Sequence, residues 1–311
     1  MKYFIPILLC FFLISCASKK KLSTAEQAPT SAITKADPQV ENSLLWRISG
    51  KELESPSYLY GTIHMIGKDD FFLTDATKTA FTEASRIVFE INMEEMSDMS
   101  VAFSMLGKIM MSNGTTLKDL LSEEDYKLVE NRFQEMGLPL AFLGKIKPMF
   151  LATFASGDMS NGGGLNNGSM VSYEMEFTTL AQEAKKEIDG LETIEFQLSM
   201  FDSIPYKVQA NMLVDAIKNG DGDNNEFKKM VDLYKKQDLS GMQDMFSTEE
   251  GGLGSYEDLL LVGRNRNWIP IMAKMMTEKT TFFAVGAGHL GGKEGVVALL
   301  REEGYTLEPL K

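Results

Sequence analysis

A chain of 311 residues with 44% hydrophobic and 24% charged residues has the make-up of a folded protein, long enough for one large domain or two modest ones. Its formal net charge of −13 offers no basic surface for phosphate, which argues against nucleic acid as a partner. Its two cysteines, Cys10 and Cys16, both lie at the extreme amino-terminal end, so the remainder holds no disulfide, no thiolate nucleophile and no cysteine metal ligand.

Lys2 is the only charge before an apolar run over residues 4–14. That run is too short for a membrane-spanning helix, which needs about 20 apolar residues. A short positive start and a short apolar stretch read as a secretory signal peptide. The run ends in Leu13-Ile14-Ser15-Cys16, which resembles a bacterial lipobox: cleavage falls before the cysteine, and its thiol is acylated. The expected organisation is a signal peptide over 1–15, a lipid-anchored tether over 16–42 and one domain over 43–311. The tether carries Lys19-Lys20-Lys21, then Ser, Thr, Ala, Gln and Pro without apolar periodicity. This places the domain at the cell envelope, facing the periplasm or the exterior, with the membrane as a partner through Cys16.

Ordered structure is predicted from residue 44. Strands are expected at 44–48 and 57–64, the second introduced by Pro56. A short helix over 75–84 leads to Arg-Ile-Val-Phe-Glu-Ile-Asn at 86–92, an apolar strand buried on both faces. The middle is predicted helical over 93–111, 117–121, 123–136 and 148–155, then a Gly/Asn-rich loop or lid at 158–168. A helix over 173–186 and a strand at 187–191 follow, then several helices from 196 to about 277. A strand at 280–285, a helix over 293–303 and a strand at 305–309 close the chain. The pattern predicts an α/β fold: a mixed central sheet drawn from both ends of the chain, with a helical insertion or cap. Many of the 21 methionines fall in the helical middle, where they suit core gap-filling better than an adaptable peptide groove.

The chain has two histidines, His64 and His289. Each closes a G-x-x-H at the carboxyl end of a predicted strand: Gly61-Thr62-Ile63-His64 and Gly286-Ala287-Gly288-His289. Sites gather at that edge in open α/β sheets. Neutral imidazoles are good ligands for Zn, Mn or Co, and a carboxylate must complete such a set. Glu90 is the best candidate, because it sits in an otherwise apolar strand where a carboxylate is costly unless paired or metal-bound. Two other readings stand beside this one. The histidines would suit a core held by ordinary hydrogen bonds, and Glu90 would suit a buried ion pair with Arg264.

Several short motifs carry a resemblance. Tyr58-Leu59-Tyr60-Gly61-Thr62-Ile63-His64 resembles the opening motif of the TraB/GumN/Tiki family, and Glu90 matches the acidic residue on that family's next strand. Gly190-Leu191-Glu192-Thr193 with Gln197, Arg264-Asn265 with Trp268, and Gly286-Ala287-Gly288-His289 match the later motifs in order. The resemblance covers about residues 44–310. It implies a divalent-metal-dependent hydrolase, since the animal Tiki proteins are proteases that clip amino-terminal peptides from secreted signalling proteins, and TraB and PrgY are linked to shutting down peptide pheromones. It implies His64, His289 and Glu90 as metal ligands, with Mn, Co or Zn as the metal and a peptide or protein as substrate. Glu192 and Glu174 are then the candidate general bases. Arg264 is a candidate holder of a substrate carboxylate or oxyanion, and Asn265 either orients Arg264 or donates to the oxyanion. The alternative is a non-catalytic, peptide-binding or regulatory envelope protein using the same pocket.

The lipobox reading has a direct test. Cys16→Ser should leave unprocessed precursor that takes up no labelled lipid in growing cells. Undiminished label in that variant overturns the anchor.

Overall fold

The computed structural model describes residues 42–95, 99–155, 169–220, 225–247 and 253–311. Cys16 and the predicted lid at 158–168 lie outside them. In chain order the strands are β1 (Leu45–Ser49), β2 (Ser57–Thr62), β3 (Ile66–Gly67), β4 (Arg86–Ile91), β5 (Met170–Val171), β6 (Glu187–Glu192), β7 (Thr281–Gly286) and β8 (Thr306–Leu310). The helices are α1 (Asp75–Glu83), α2 (Met99–Ile109), α3 (Leu117–Leu120), α4 (Glu123–Glu135), α5 (Leu140–Leu143), α6 (Pro148–Ala155), α7 (Tyr173–Glu183), α8 (Ile194–Met200), α9 (Tyr206–Gly220), α10 (Asn225–Lys235), α11 (Leu239–Ser247), α12 (Gly263–Glu278) and α13 (Val296–Glu302).

The six strands expected from the sequence form one mixed sheet in the order β6-β4-β7-β2-β1-β8. The four strands β6, β4, β7 and β2 run parallel to one another, whereas β1 is antiparallel to both of its neighbours. Parallel strands are covered on both faces and read as continuous apolar runs, and every residue of β2 and β4 is buried. On one face Tyr60 and Phe282 pack on Phe177 of α7, and Phe81 of α1 packs on Phe282. On the other, Arg86 donates to the Met275 carbonyl of α12, and the Arg301 guanidinium of α13 lies over the Trp46 ring.

The helical middle is a layer with its own core. Leu117, Val129, Phe133, Leu140, Leu151 and Leu213 bring α3, α4, α5, α6 and α9 together. A second cluster joins this layer to the sheet, packing Ile91 at the end of β4 on Phe150 of α6, Ile194 and Leu198 of α8, and Leu260. The cap is therefore fastened beside the carboxyl end of β4. Polar side chains at the caps set where several helices begin: Thr74 accepts from the Thr77 N–H, Ser122 from Asp125, Ser172 from Met175 and Thr193 from Phe196. Among the described residues, no helix is long and apolar enough to cross a membrane.

The structure departs from the expectation in three places. The strand predicted over 57–64 ends at Thr62, so His64 lies in the turn beyond it. The helix predicted over 93–111 is described from Met99 to Ile109. A two-stranded antiparallel ribbon joins β3 to β5, which nothing in the sequence pattern announces, because a strand of two residues has no readable period.

Gly190 sits where β6 meets β4. A Cβ there would lie 2.5 Å from the Asn92 nitrogen and 2.9 Å from the Ile91 carbonyl carbon, both backbone atoms with nowhere to go. Gly190→Ala should therefore lower stability by about 1–3 kcal/mol, the usual cost of overpacking. Gly107→Ala, at an exposed helical glycine with open space around it, should be neutral or stabilising. Thermal unfolding followed by circular dichroism separates the two, and an unchanged midpoint for Gly190→Ala refutes the close-approach argument.

Candidate functional site

The carboxyl ends of β2, β4, β6 and β7 converge, and each delivers one part of the site. Thr62 ends β2 and His64 follows it; Glu90 is the penultimate residue of β4; Glu192 ends β6; Gly286 ends β7, and His289 follows in a 3-10 turn. Arg264 and Asn265 enter from the first turn of α12. A single π-helical turn over Asp258–Val262 runs directly into that helix, and such turns recur at functional sites.

Arg264 is the centre of the network. Its Nε donates to Glu192 Oε1 at 2.9 Å, and its Nη1 donates to the Leu260 carbonyl at 3.0 Å and to His289 Nε2 at 3.1 Å. Its Nη2 donates to both Glu90 Oε2 and Glu192 Oε1. All five guanidinium N–H groups are thereby used. Glu90 takes further bonds from Gln197 at 3.1 Å on Oε2 and from the Gly286 N–H at 2.8 Å on Oε1. Glu192 takes Gln197 at 2.8 Å and the Trp268 indole N–H at 3.1 Å. Burial favours the neutral form of Glu90, but the Arg264 charge outweighs it, and His289, His64 and the Gly286 N–H add to it, so the carboxyl stays well below the usual range.

The two histidines are held differently. Asn265 Nδ2 donates to the His289 and Glu294 carbonyls at 3.4 and 2.8 Å, which turns its oxygen toward the ring. That oxygen lies 2.6 Å from His289 Nδ1 and can only accept, so Nδ1 carries the proton and Nε2 the lone pair. Burial lowers the His289 pKa to about 3, and Arg264 and His64 push the same way, so the ring is neutral. His64 Nδ1 lies 3.0 Å from Glu174 Oε1. Burial opposes charge on His64 as well, but the Glu174 carboxylate outweighs it and raises the pKa.

The glycines of the two G-x-x-H motifs have separate reasons. A Cβ on Gly61 would lie 2.9 Å from Leu290 Cδ2 and 3.1 Å from Ala287 Cα, so the first motif packs directly on the second. A Cβ on Gly286 would lie 3.2 Å from Glu90 Oε1, 3.6 Å from His289 Cδ2 and 3.8 Å from His64 Nε2. Gly286 thus leaves open the space on which the two rings and the Glu90 carboxylate converge.

His64, Glu90, Glu174, Glu192, Arg264, Asn265 and His289 all lie in this one region, although some of the partners differ from those expected. Glu192 is engaged on both oxygens by Arg264, Gln197 and Trp268. Asn265 contacts His289 and not the Arg264 side chain. Glu174 is buried on His64, Thr62 and Ser172, and is not a solvated helix residue. Sequence reasoning gave no role to Thr62 or Ser172; the one available signal was Ser172 as a helix cap.

The donors have the chemistry of a divalent-cation site: two imidazoles whose Nδ1 atoms are engaged elsewhere, and one carboxylate. His289 Nε2 and Glu90 Oε1 are 3.7 Å apart, within reach of a single ion at about 2.0–2.2 Å from each. The arrangement is not that of an assembled ligand group, however. Among the described residues, no set of three or more His, Cys, Asp or Glu side chains is disposed to hold a metal ion. Arg264 occupies both His289 Nε2 and one Glu90 oxygen.

Removing Arg264 should be costly to the fold, because it leaves two buried carboxylates without their cation. Arg264→Leu should destabilise by about 3–5 kcal/mol. Arg264→Lys should recover only part, since one ammonium cannot reproduce the fork that joins Glu90, Glu192, Leu260 and His289. Chemical denaturation of the three proteins checks this, and a Lys variant as stable as the wild type refutes it.

Comparison with known proteins finds relatives along most of the chain. The chain is 25% identical over 331 aligned positions to Metalloprotease TIKI1 of Danio rerio, covering 90% of this chain and 65% of that protein. It is 24% identical over 360 positions to Metalloprotease TIKI1 of Homo sapiens, covering 98% of this chain and 68% of that one. The chain therefore spans about two thirds of the length of these relatives. No solved structure matches it. The sequence profile of the TraB/PrgY/gumN family matches residues 44–309, nearly the whole described region, and the chain belongs to that family.

Proposed function

We propose that this chain is a divalent-metal-dependent hydrolase acting on peptides, anchored at the cell envelope through lipid on Cys16. The observation that carries the reading is the convergence of His64 Nε2, His289 and Glu90 Oε1 on the space left by Gly286. Charge supports it. Glu90, Glu174 and Glu192 belong to one buried network whose only guanidinium among the described residues is Arg264. That excess of buried carboxyl groups over guanidinium is of the kind a cation would match. The relatives are named metalloproteases.

In this reading His64, His289 and Glu90 hold the cation, which when bound supplies Lewis-acid polarisation of a carbonyl and lowers the pKa of water toward ~7. Asn265 presents the His289 lone pair. Glu192, saturated by Arg264, Gln197 and Trp268, anchors the arginine and does not carry a proton. Arg264 keeps a fixed positive charge beside the reacting centre, where it favours negative charge developing on substrate oxygen. Met175 and Phe196, each next in sequence to a site residue, are exposed and supply apolar contact for a peptide. The second reading, a binder without catalysis, draws on the Arg264–His289 contact, which occupies a nitrogen the metal needs.

The test is to incubate the protein with a diverse peptide library, adding Mn, Co or Zn in turn, and to read new termini by mass spectrometry. Cleavage should require metal and fall by about 100-fold or more in His64→Ala, His289→Ala and Glu90→Gln, a loss of roughly 2.7 kcal/mol or more of transition-state stabilisation. Peptide binding that survives a chelator, with no cleavage under any metal, favours the binder.

A further inference from the structure

The first turn of α7 enters the site from a direction that no motif announces. Ser172 caps the helix, and Glu174, only 3% exposed, turns back toward the end of β2. Its Oε1 accepts from Thr62 Oγ1 at 2.7 Å and lies 3.0 Å from His64 Nδ1; its Oε2 accepts from Ser172 Oγ at 3.1 Å. Each carboxylate oxygen is therefore engaged inside the protein, and the group faces donors only. An ionised carboxylate has no proton to give, so the ring nitrogen facing it must carry one. That assigns the proton of neutral His64 to Nδ1 and the lone pair to Nε2, the atom on the Gly286 side. Asn265 imposes the same tautomer on His289 from the opposite side of the site, with a neutral amide in place of a carboxylate.

We propose that Glu174 is the positioning residue of His64, the counterpart of Asn265 for His289, and that the pair places the proton of each imidazole on Nδ1 and its lone pair on Nε2, where a shared ligand would displace the Arg264 contact from His289. The ribbon of β3 and β5 makes this geometry. It ties the turn after His64 to the segment before Ser172, with Ile66 opposite Val171, so the ring and the carboxylate are held by paired backbone on both sides. Thr62 and Ser172 each donate to one oxygen of the carboxylate and so hold it in this orientation. The assignment rests on the reading of His64 and His289 as the ligating pair, but its direct consequence, the tautomer, is present without any metal.

The chain's two histidines make the test clean, because a ¹⁵N-histidine-labelled full chain gives two imidazole spin systems. At a pH where both rings are neutral, long-range ¹H–¹⁵N spectra should show both with Nδ1 protonated. Glu174→Leu should convert His64 to a mixture of tautomers and leave His289 unchanged, whereas Asn265→Leu should leave both as they are, because Arg264 Nη1 still donates to His289 Nε2. Glu174→Gln should keep the His64 tautomer, since its amide oxygen still accepts from Nδ1–H and its NH₂ can donate to Ser172. Titrating Zn²⁺ alone by calorimetry should show affinity about 10–100-fold weaker in Glu174→Leu and restored toward the wild type in Glu174→Gln. Nε2–H on His64 in the wild type, or an unmoved tautomer in a folded Glu174→Leu, overturns the assignment. If Glu174→Leu does not fold, the wild-type spectrum and the Gln variant still decide. Tautomers as expected with no Zn²⁺ uptake by the wild type overturn the metal reading alone.

Discussion

Two carboxylates on neighbouring parallel strands, both out of water, are the difficulty around which this site is built. Glu90 is next to last in β4 and Glu192 ends β6, and one guanidinium, Arg264, lies between them. Without it their mutual repulsion and desolvation would prise the strand ends apart. With it, every N–H of the arginine has an acceptor, and α12, β4, β6 and the turn after β7 are joined through one planar group. The π-helical turn before α12 belongs to the same arrangement, since the Leu260 carbonyl within it takes one of the five bonds. Trp268 completes the enclosure, with its ring under the Arg264 guanidinium and its indole N–H on Glu192.

The two G-x-x-H motifs look alike in sequence and are unlike in surroundings. His289 is sealed, tilted against Trp268 with ring centroids 4.4 Å apart, and held by a neutral amide. His64 sits in a turn, is part-exposed, and is held by a carboxylate. The glycines divide their labour in the same way, Gly61 allowing the motifs to touch and Gly286 keeping the space between their side chains clear. A motif records only which residue types recur. What each copy does is decided by the group that faces it across the fold.

That distinction sets how much could be read in advance. The six sheet strands were legible because each is a short apolar, β-branched or aromatic run bounded by turn residues, a local signal. Glu90 was legible because a charge in such a run breaks its own pattern. The pairing of Arg264 with Glu90 could be named as one option among several, but not Glu192 as the other arm, because nothing local to Glu192 distinguishes a proton carrier from an anchor. Glu174 and Ser172 were the hardest. Their link to His64 runs through a ribbon of two-residue strands and spans 110 residues, so neither periodicity nor spacing carries it. The contact of Asn265 with His289 was hidden for a related reason: adjacency in sequence points to Arg264, whereas adjacent positions on a helix face different directions.

Placing β7 between β4 and β2 has a consequence for how the chain is made. Glu90 and the Gly286 N–H that it accepts from are 196 residues apart, which at about 5–20 residues per second separates their synthesis by roughly 10–40 s. Through that interval Glu90 lacks its guanidinium partner and β2 has no parallel neighbour, although β6 and Gln197 reach β4 about halfway through it. A strand so marked is a poor template for premature pairing, because burying it before Arg264 arrives would strand a charge. The sheet can therefore be completed only when the last third of the chain supplies both Arg264 and the strand that lies between β4 and β2.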